Sequence, residues 1–159
     1  MVDEIVFETI INDCEVKFYP DSKELWIYDF RTGDLTLRKG NNSGNGYHQL
    51  VIGGKRFYKH RVIYKMYNID WDILDRSKNN VIDHINNNRL DNDIKNLRLV
   101  TQQQNNFNRK AKGCYFDKKI NKWKALISKD RKTTFLGYFD NESDAHEAYL
   151  NAKKEIHAI

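Results

Sequence analysis

A chain of 159 residues holds one ordinary domain or two small ones, and a unit near 50 residues would be marginal alone. Its two cysteines, Cys14 and Cys114, stand far apart with no CxxC pair, which excludes a disulfide scaffold and a cysteine-rich zinc site and fits a reducing compartment. The net charge of +5 is segregated: ten basic residues between Arg109 and Lys132 face only Asp117 and Asp130, while Met1 to Asp29 carries eight acids against Lys17 and Lys23. Such a basic belt points to a polyanionic partner, most often nucleic acid, although a solvated lysine-rich face has the same composition. No apolar run approaches the ~20 residues of a membrane span. The acidic start MVDEIVFETIINDCE is unlike the basic start of a signal peptide, so a soluble intracellular protein is expected.

In chain order, Glu15-Val16-Lys17-Phe18 and Leu25-Trp26-Ile27-Tyr28 alternate as short strands around Pro20-Asp21. The role of this N-terminal segment is the least legible part of the chain. Gly40 to Gly46 has the residues of a loop, and Tyr47–Ile52 and Lys55–Lys59 read as a hairpin about Gly53-Gly54. Apolar positions 62, 63, 66 and 67 predict a short helix over His60–Tyr67. Val81–Asp83 and Leu97–Val100 form a second strand pair around a polar loop, and Thr101 is placed to cap a helix from Gln102 to about Lys110. Beyond Gly113, three strands are predicted at Cys114–Lys118, Trp123–Lys129 and Thr133–Phe139. Asn141, with Asp144 three places on, then opens a helix whose apolar stripe is Ala145, Ala148, Tyr149, Ala152 and Ile156. The expected boundary separates residues 1–110 from 111–159.

The chemistry concentrates in Val81 to Asn106, VIDHINNNRLDNDIKNLRLVTQQQNN. Phosphodiester hydrolysis needs a base for water and a cation to stabilise the developing charge. His84, with an unperturbed pKa near ~6.5, is a natural base. Asp83 and an amide oxygen from Asn105 could serve a hard cation. A histidine at a strand end can equally be a hydrogen-bonded turn residue, so these residue types leave both readings open.

Asp83-His84-Ile85-Asn86, Arg89-Leu90-Asp91-Asn92, Asn96-Leu97-Arg98, Val100-Thr101 and Asn105-Asn106 together resemble the HNH endonuclease family, and more closely its homing-type members. Gly46-Tyr47, Gly54-Lys55-Arg56 and His60-Arg61 fit that family's upstream hairpin and helix, so the resemblance covers about Tyr47 to Arg109. It implies an α+β fold with a ββα-metal (His-Me finger) core. It implies His84 as general base, Asp83 as metal ligand, Asn96 as the residue tying the loop ends, and Asn105 as second metal ligand, with Asn106 as the neighbouring alternative. Oxygen ligation favours Mg2+ or Mn2+. His60 is expected to be structural or phosphate-facing.

Gly113-Cys114-Tyr115, Lys122-Trp123-Lys124-Ala125, Phe135-Leu136-Gly137-Tyr138-Phe139 and Ala145-His146-Glu147-Ala148-Tyr149 resemble the plant ethylene-response-factor (APETALA) DNA-binding domain. The resemblance implies a three-stranded antiparallel sheet backed by one helix, its outer face in the major groove of double-stranded DNA. Alternation turns Trp123, Ala125 and Ile127 toward the helix, and Lys124, Leu126 and Ser128 outward beside Tyr115, Asp117, Lys119, Thr133 and Phe135. The candidate DNA contacts are Arg109, Lys110, Lys112, Tyr115, Lys119, Lys124, Ser128, Arg131, Thr133 and Phe135. Several base-reading arginines of the plant pattern are replaced here by Tyr115, Asp117, Ser128 and Thr133, so the sheet is expected to hold mainly backbone.

The resulting expectation is a monomeric, site-preferring or nicking DNA endonuclease without a small-molecule cofactor. The alternatives are an inactive DNA-binding regulator built on the same folds, and a protein acting on structured RNA.

Overall fold

The computed structural model describes residues 5–109 and 111–157, and these divide into two compact units, residues 1–102 and 103–159. The first opens with four antiparallel strands, β1 (Phe7–Ile11), β2 (Cys14–Tyr19), β3 (Glu24–Asp29) and β4 (Asp34–Leu37), paired in chain order. Asn12 and Asp13 both take positive φ, the turn that suits a two-residue hairpin. The meander has two chemically different faces. Cys14, Val16, Phe18, Leu25 and Ile27 are buried at every second position, while Lys17 on the other face pairs with Glu8 and Glu15 at 3.0 and 3.3 Å.

That buried face packs on the rest of the unit. β5 (Asn41–Asn42), β6 (His48–Ile52) and β7 (Lys55–Tyr58) form a second sheet, followed by α1 (Lys59–Tyr67). Leu50, Ile52, Phe57, Val62, Ile63 and Met66 join the meander's apolar residues in one core, which also takes in Ile82 and Leu97. Asn12 donates from its side chain to the carbonyls of Ile52 and Gly53 at 3.2 and 2.8 Å, tying the first hairpin of the meander to the turn of β6–β7. The meander of the acidic N-terminal segment therefore forms one wall of this unit's core.

β8 (Val81–His84) and β9 (Leu97–Val100) pair antiparallel, with Asp83 opposite Arg98 and His84 opposite Leu97. A 3-10 turn, Ile94–Asn96, leads into β9, and α2 (Gln102–Asn108) follows it.

The second unit begins at Gln103, upstream of the 110/111 boundary expected from sequence, because α2 makes contacts there: Phe107 stacks on His157 at 3.8 Å, and the Gln103 side chain donates to Asp130 at 2.6 Å. β10 (Cys114–Asp117), β11 (Lys122–Lys129) and β12 (Lys132–Phe139) form its antiparallel sheet, with α3 (Glu142–Ile156) behind it. Asn141 caps α3 by accepting the Asp144 N–H at 2.9 Å, and its amide donates back to the Asp144 carboxylate at 2.9 Å. Cys114, Ala125 and Ala145 form the small buried core, flanked by Trp123, Leu136 and Phe139. Both cysteines are free and buried. Among the described residues no helix is long and apolar enough to cross a membrane.

Candidate active site and nucleic-acid face

His84 ends β8 with only 4 % of its surface exposed. Its Nε2 lies 3.2 Å from Asn92 Oδ1, and Asn92 is oriented by its own amide, which donates to the Leu90 carbonyl at 3.2 Å. An amide oxygen only accepts, so Nε2 carries the ring proton and the lone pair of the neutral ring sits on Nδ1. Around the imidazole stand His60 at 4.9 Å and Tyr47 at 5.9 Å between ring centroids, and Tyr58 lies nearly parallel to His60 at 5.5 Å. Burial lowers the His84 pKa below its usual value. The Asn92 bond and the charges of Asp83 and Asp91 oppose that shift, and Arg89 adds to it. At pH 7 the ring is neutral and able to take a proton.

His60 is the stronger case, its pKa pushed down to about 3 by burial, with His84 and Arg61 adding to the effect. A histidine that must stay neutral to remain buried supports the fold fully above its unfolded pKa near ~6.5, and this support is lost as pH falls toward 3. Between pH 6.5 and 4 the loss is roughly 3 kcal/mol. Urea titrations of the parent and His60→Phe at pH 7 and pH 4 should therefore differ in how much stability acid removes. Equal losses in the two proteins would refute this assignment.

Asp83, one residue before His84, is held by Arg98 from the opposing strand, whose Nε and Nη2 both donate to Oδ2 at 3.0 and 2.9 Å. The two neighbours keep different company, as strand alternation requires. Asn96 is buried where the loop rejoins β9. Its Oδ1 accepts the Asn86 N–H at 3.0 Å, and its amide donates to Asn86 Oδ1 at 3.0 Å and to the Asp91 carbonyl at 2.8 Å. The loop between is a chain of side-chain turns: Asn86, Asn88, Asp91 and Asp93 each accept the N–H two residues on. Its abundant amides and acids thus stand in for the hydrogen bonds that a strand or helix would have supplied.

Asn105 lies on α2, in the second unit. Among the described residues no three His, Cys, Asp or Glu side chains gather into a metal cluster. The donors that sequence singled out are a carboxylate and an amide oxygen, the set a hard divalent cation accepts with water filling its remaining positions.

On the second unit, Tyr115, Lys124, Ser128, Thr133 and Phe135 belong to the sheet, and the hydroxyls of Ser128 and Thr133 are 2.8 Å apart. The register of β11 and β12 shifts between Ala125 and Leu126, so that Ala125 faces Gly137 and Leu126 faces Phe135. This bulge brings Tyr138 beside Phe135, ring to ring at 4.9 Å, and the Lys124 ammonium lies 5.6 to 6.0 Å from the rings of Tyr115, Phe135 and Tyr138. Lys119 and Arg131 occupy the turns between strands, and Arg109 accepts the Lys153 ammonium on its carbonyl at 2.8 Å. Lys112 is drawn to Glu142 at 2.6 Å and sits 5.2 Å from the Trp123 ring. Lys110 lies outside the described residues.

Sequence reading missed Asn92, Tyr47 and Arg98 as companions of the Asp-His pair. Asn92 was visible only as one asparagine among many, and its signal is its place in the Leu90-Asp91-Asn92 stretch that turns back toward His84.

A neutral, oriented imidazole next to a carboxylate on a rigid strand is suited to activating water for hydrolysis. The segment that carries it identifies which hydrolysis: residues 57–107 match the HNH endonuclease family. The match supports a nuclease acting on phosphodiester bonds and so a nucleic-acid substrate. HNH nucleases generally use a divalent metal ion. No curated protein and no solved structure matches the chain.

Proposed function

We propose that the chain is a homing-type DNA endonuclease that nicks duplex DNA with a ββα-metal core, using His84 as general base and a single Mg2+ or Mn2+ ion. The observation that carries this reading is the buried His84 ring, its Nε2 held 3.2 Å from Asn92 Oδ1 at a strand end directly after Asp83. His84 takes the proton of the attacking water on Nδ1, the nitrogen bearing the lone pair. Asn96 holds the two ends of the loop together, so that Asn92 and His84 keep their mutual aim. Asp83 is the proposed carboxylate ligand, with Arg98 fixing its rotamer, and Asn105 is the second oxygen ligand on the strength of the motif alone. A divalent cation, when bound by these oxygens, would supply electrostatic stabilisation of the charge that builds on the phosphate and the leaving oxygen.

The second unit is the proposed tether for double-stranded DNA. Its three strands backed by one helix, its basic turns and the face bearing Tyr115, Lys124 and Phe135 support this. One such site per chain favours nicking by a monomer.

The test is a supercoiled plasmid incubated with the full chain. Open circles should accumulate with Mg2+ or Mn2+, stop with EDTA and resume when metal is restored. No cleavage with either metal sinks the enzymatic reading, and linear product appearing without open circles sinks nicking.

A further inference from the structure

The first unit carries a second feature that the nuclease chemistry does not use. A cavity of about 360 Å³ opens between the β6–β7 hairpin and the segment after α1, and its wall contains Lys55, Arg56, Arg61 and Arg76 but no carboxylate. Arg61 is built into it. Its Nη1 donates to the Asn80 carbonyl at 3.1 Å and its Nη2 to the carbonyls of Ile73 and Asp75, both at 2.8 Å. Its guanidinium also lies 4.7 Å from the Trp71 ring. These partners fix the guanidinium without cancelling its charge. Asp75 and Asp72 favour its charge electrostatically but form no ion pair with it, their carboxylates accepting the N–H groups of Ser77 and Leu74 at 2.7 and 2.8 Å. Arg76 crowds Arg61 instead and, with burial, makes its charge harder to hold. Lys55, Arg56 and Arg76 are exposed and make no ion pair among the described residues.

Cations gathered around a cavity whose wall holds no carboxylate form a site for an anion. Its position indicates which one. Tyr58 lines the same cavity and stacks on His60, which touches His84, so the cavity lies two ring contacts from the proposed base. Phosphates recur about every 3.4 Å of helix axis along a strand. A strand with its scissile phosphate at His84 that runs toward the β6–β7 hairpin reaches the cavity within a few nucleotides.

We propose that this pocket binds a backbone phosphate of the substrate strand outside the scissile bond, with Arg56 and Arg76 closing over the preset Arg61. The pocket positions the strand and takes no part in proton transfer. The proposal rests on the nuclease reading for the identity of its ligand.

Arg56→Ala/Arg76→Ala tests it, because both side chains are exposed and the Arg61 scaffold is left in place. Affinity for a short labelled duplex, measured in EDTA across a salt series, should fall roughly tenfold to a hundredfold. The slope of log affinity against log salt should flatten by about 0.9, one phosphate contact. In cleavage, KM should rise by the same factor at constant kcat, and lysine at both positions should restore the slope. As a control, Lys17→Ala/Arg31→Ala removes equal charge from the N-terminal meander and should keep the parent slope. An unchanged slope and affinity, an equal flattening in the control, or a loss of kcat at constant KM each overturns the proposal. Because the binding arm needs no metal, a parent that binds but does not cut defeats the nuclease reading and still decides the pocket.

Discussion

Replacing His84 with alanine is expected to lower kcat by about 10²- to 10⁴-fold while duplex affinity stays within about twofold of the parent. The size follows from the role: a positioned base contributes that much, and alanine leaves Asp83, Arg98 and the Asn96-tied loop in place. The pH profile gives a second readout. Burial holds the His84 pKa below 6.5, so the ring is already deprotonated at neutral pH. The rising limb of kcat/KM should therefore have its midpoint below 6.5, so that activity gains little between pH 7 and 8. A cation on Asp83 pushes the same way, since a positive charge disfavours the imidazolium. Single-turnover cleavage of one labelled duplex by parent and variant across this range checks both. A variant that cuts at the parent's rate, or a parent whose activity climbs through pH 7 to 8, removes His84 from the role of base.

Gly113→Ala should destabilise the second unit by about 2–5 kcal/mol, a large share of what holds it folded. Gly113 has φ +67°, and a Cβ there would lie 2.0 Å from Cγ of Tyr149 and 2.1 and 2.4 Å from its two Cδ atoms. No rotation of the new methyl relieves this, so the Tyr149 ring would have to leave its buried place beside Ala145 on α3. Left-handed backbone costs about 1–2 kcal/mol for an L-residue and forced overpacking about 1–3 more. A unit of this size holds only about 3–8 kcal/mol in total. Gly54→Ala separates the two causes: its φ is +78°, but nothing lies within 4 Å of a Cβ there, so only the backbone cost applies. Amide correlation spectra of the full chain should show weakened dispersed signals for Ala125 and Ile127 in Gly113→Ala while keeping those of Val16 and Ile52. Equal stability of the two alanine variants would show that Tyr149 yields without cost.

Local pattern carried much of this protein on its face. The strand alternation of Val16 and Phe18 against Glu15 and Lys17, the Gly53-Gly54 turn, the helix periods at 62, 63 and 66, and the Asn141 cap all depend on neighbours within a few residues. Those elements stand where their spacing put them. The placement of Asp83-His84 at a strand end was legible for the same reason, and the motif around it singled out Asn96 from the surrounding amides. What periodicity could not carry were pairings made across long separations. Cys14, Val16 and Phe18 announce a buried face, yet nothing local says that the face meets Leu50, Ile52 and Val62. Tyr138 joins Phe135 on one side of its sheet because one bulge breaks the two-residue alternation. Asn92 is distinguished from its fellow asparagines by a single contact, 3.2 Å from His84. The cavity of Arg56, Arg61 and Arg76 exists because the segment after α1 folds back to supply carbonyls to Arg61. Conformational preference acts between neighbours and can be read along the chain, whereas burial, register and the neutrality of an imidazole are set by whichever distant residues fill the space around it.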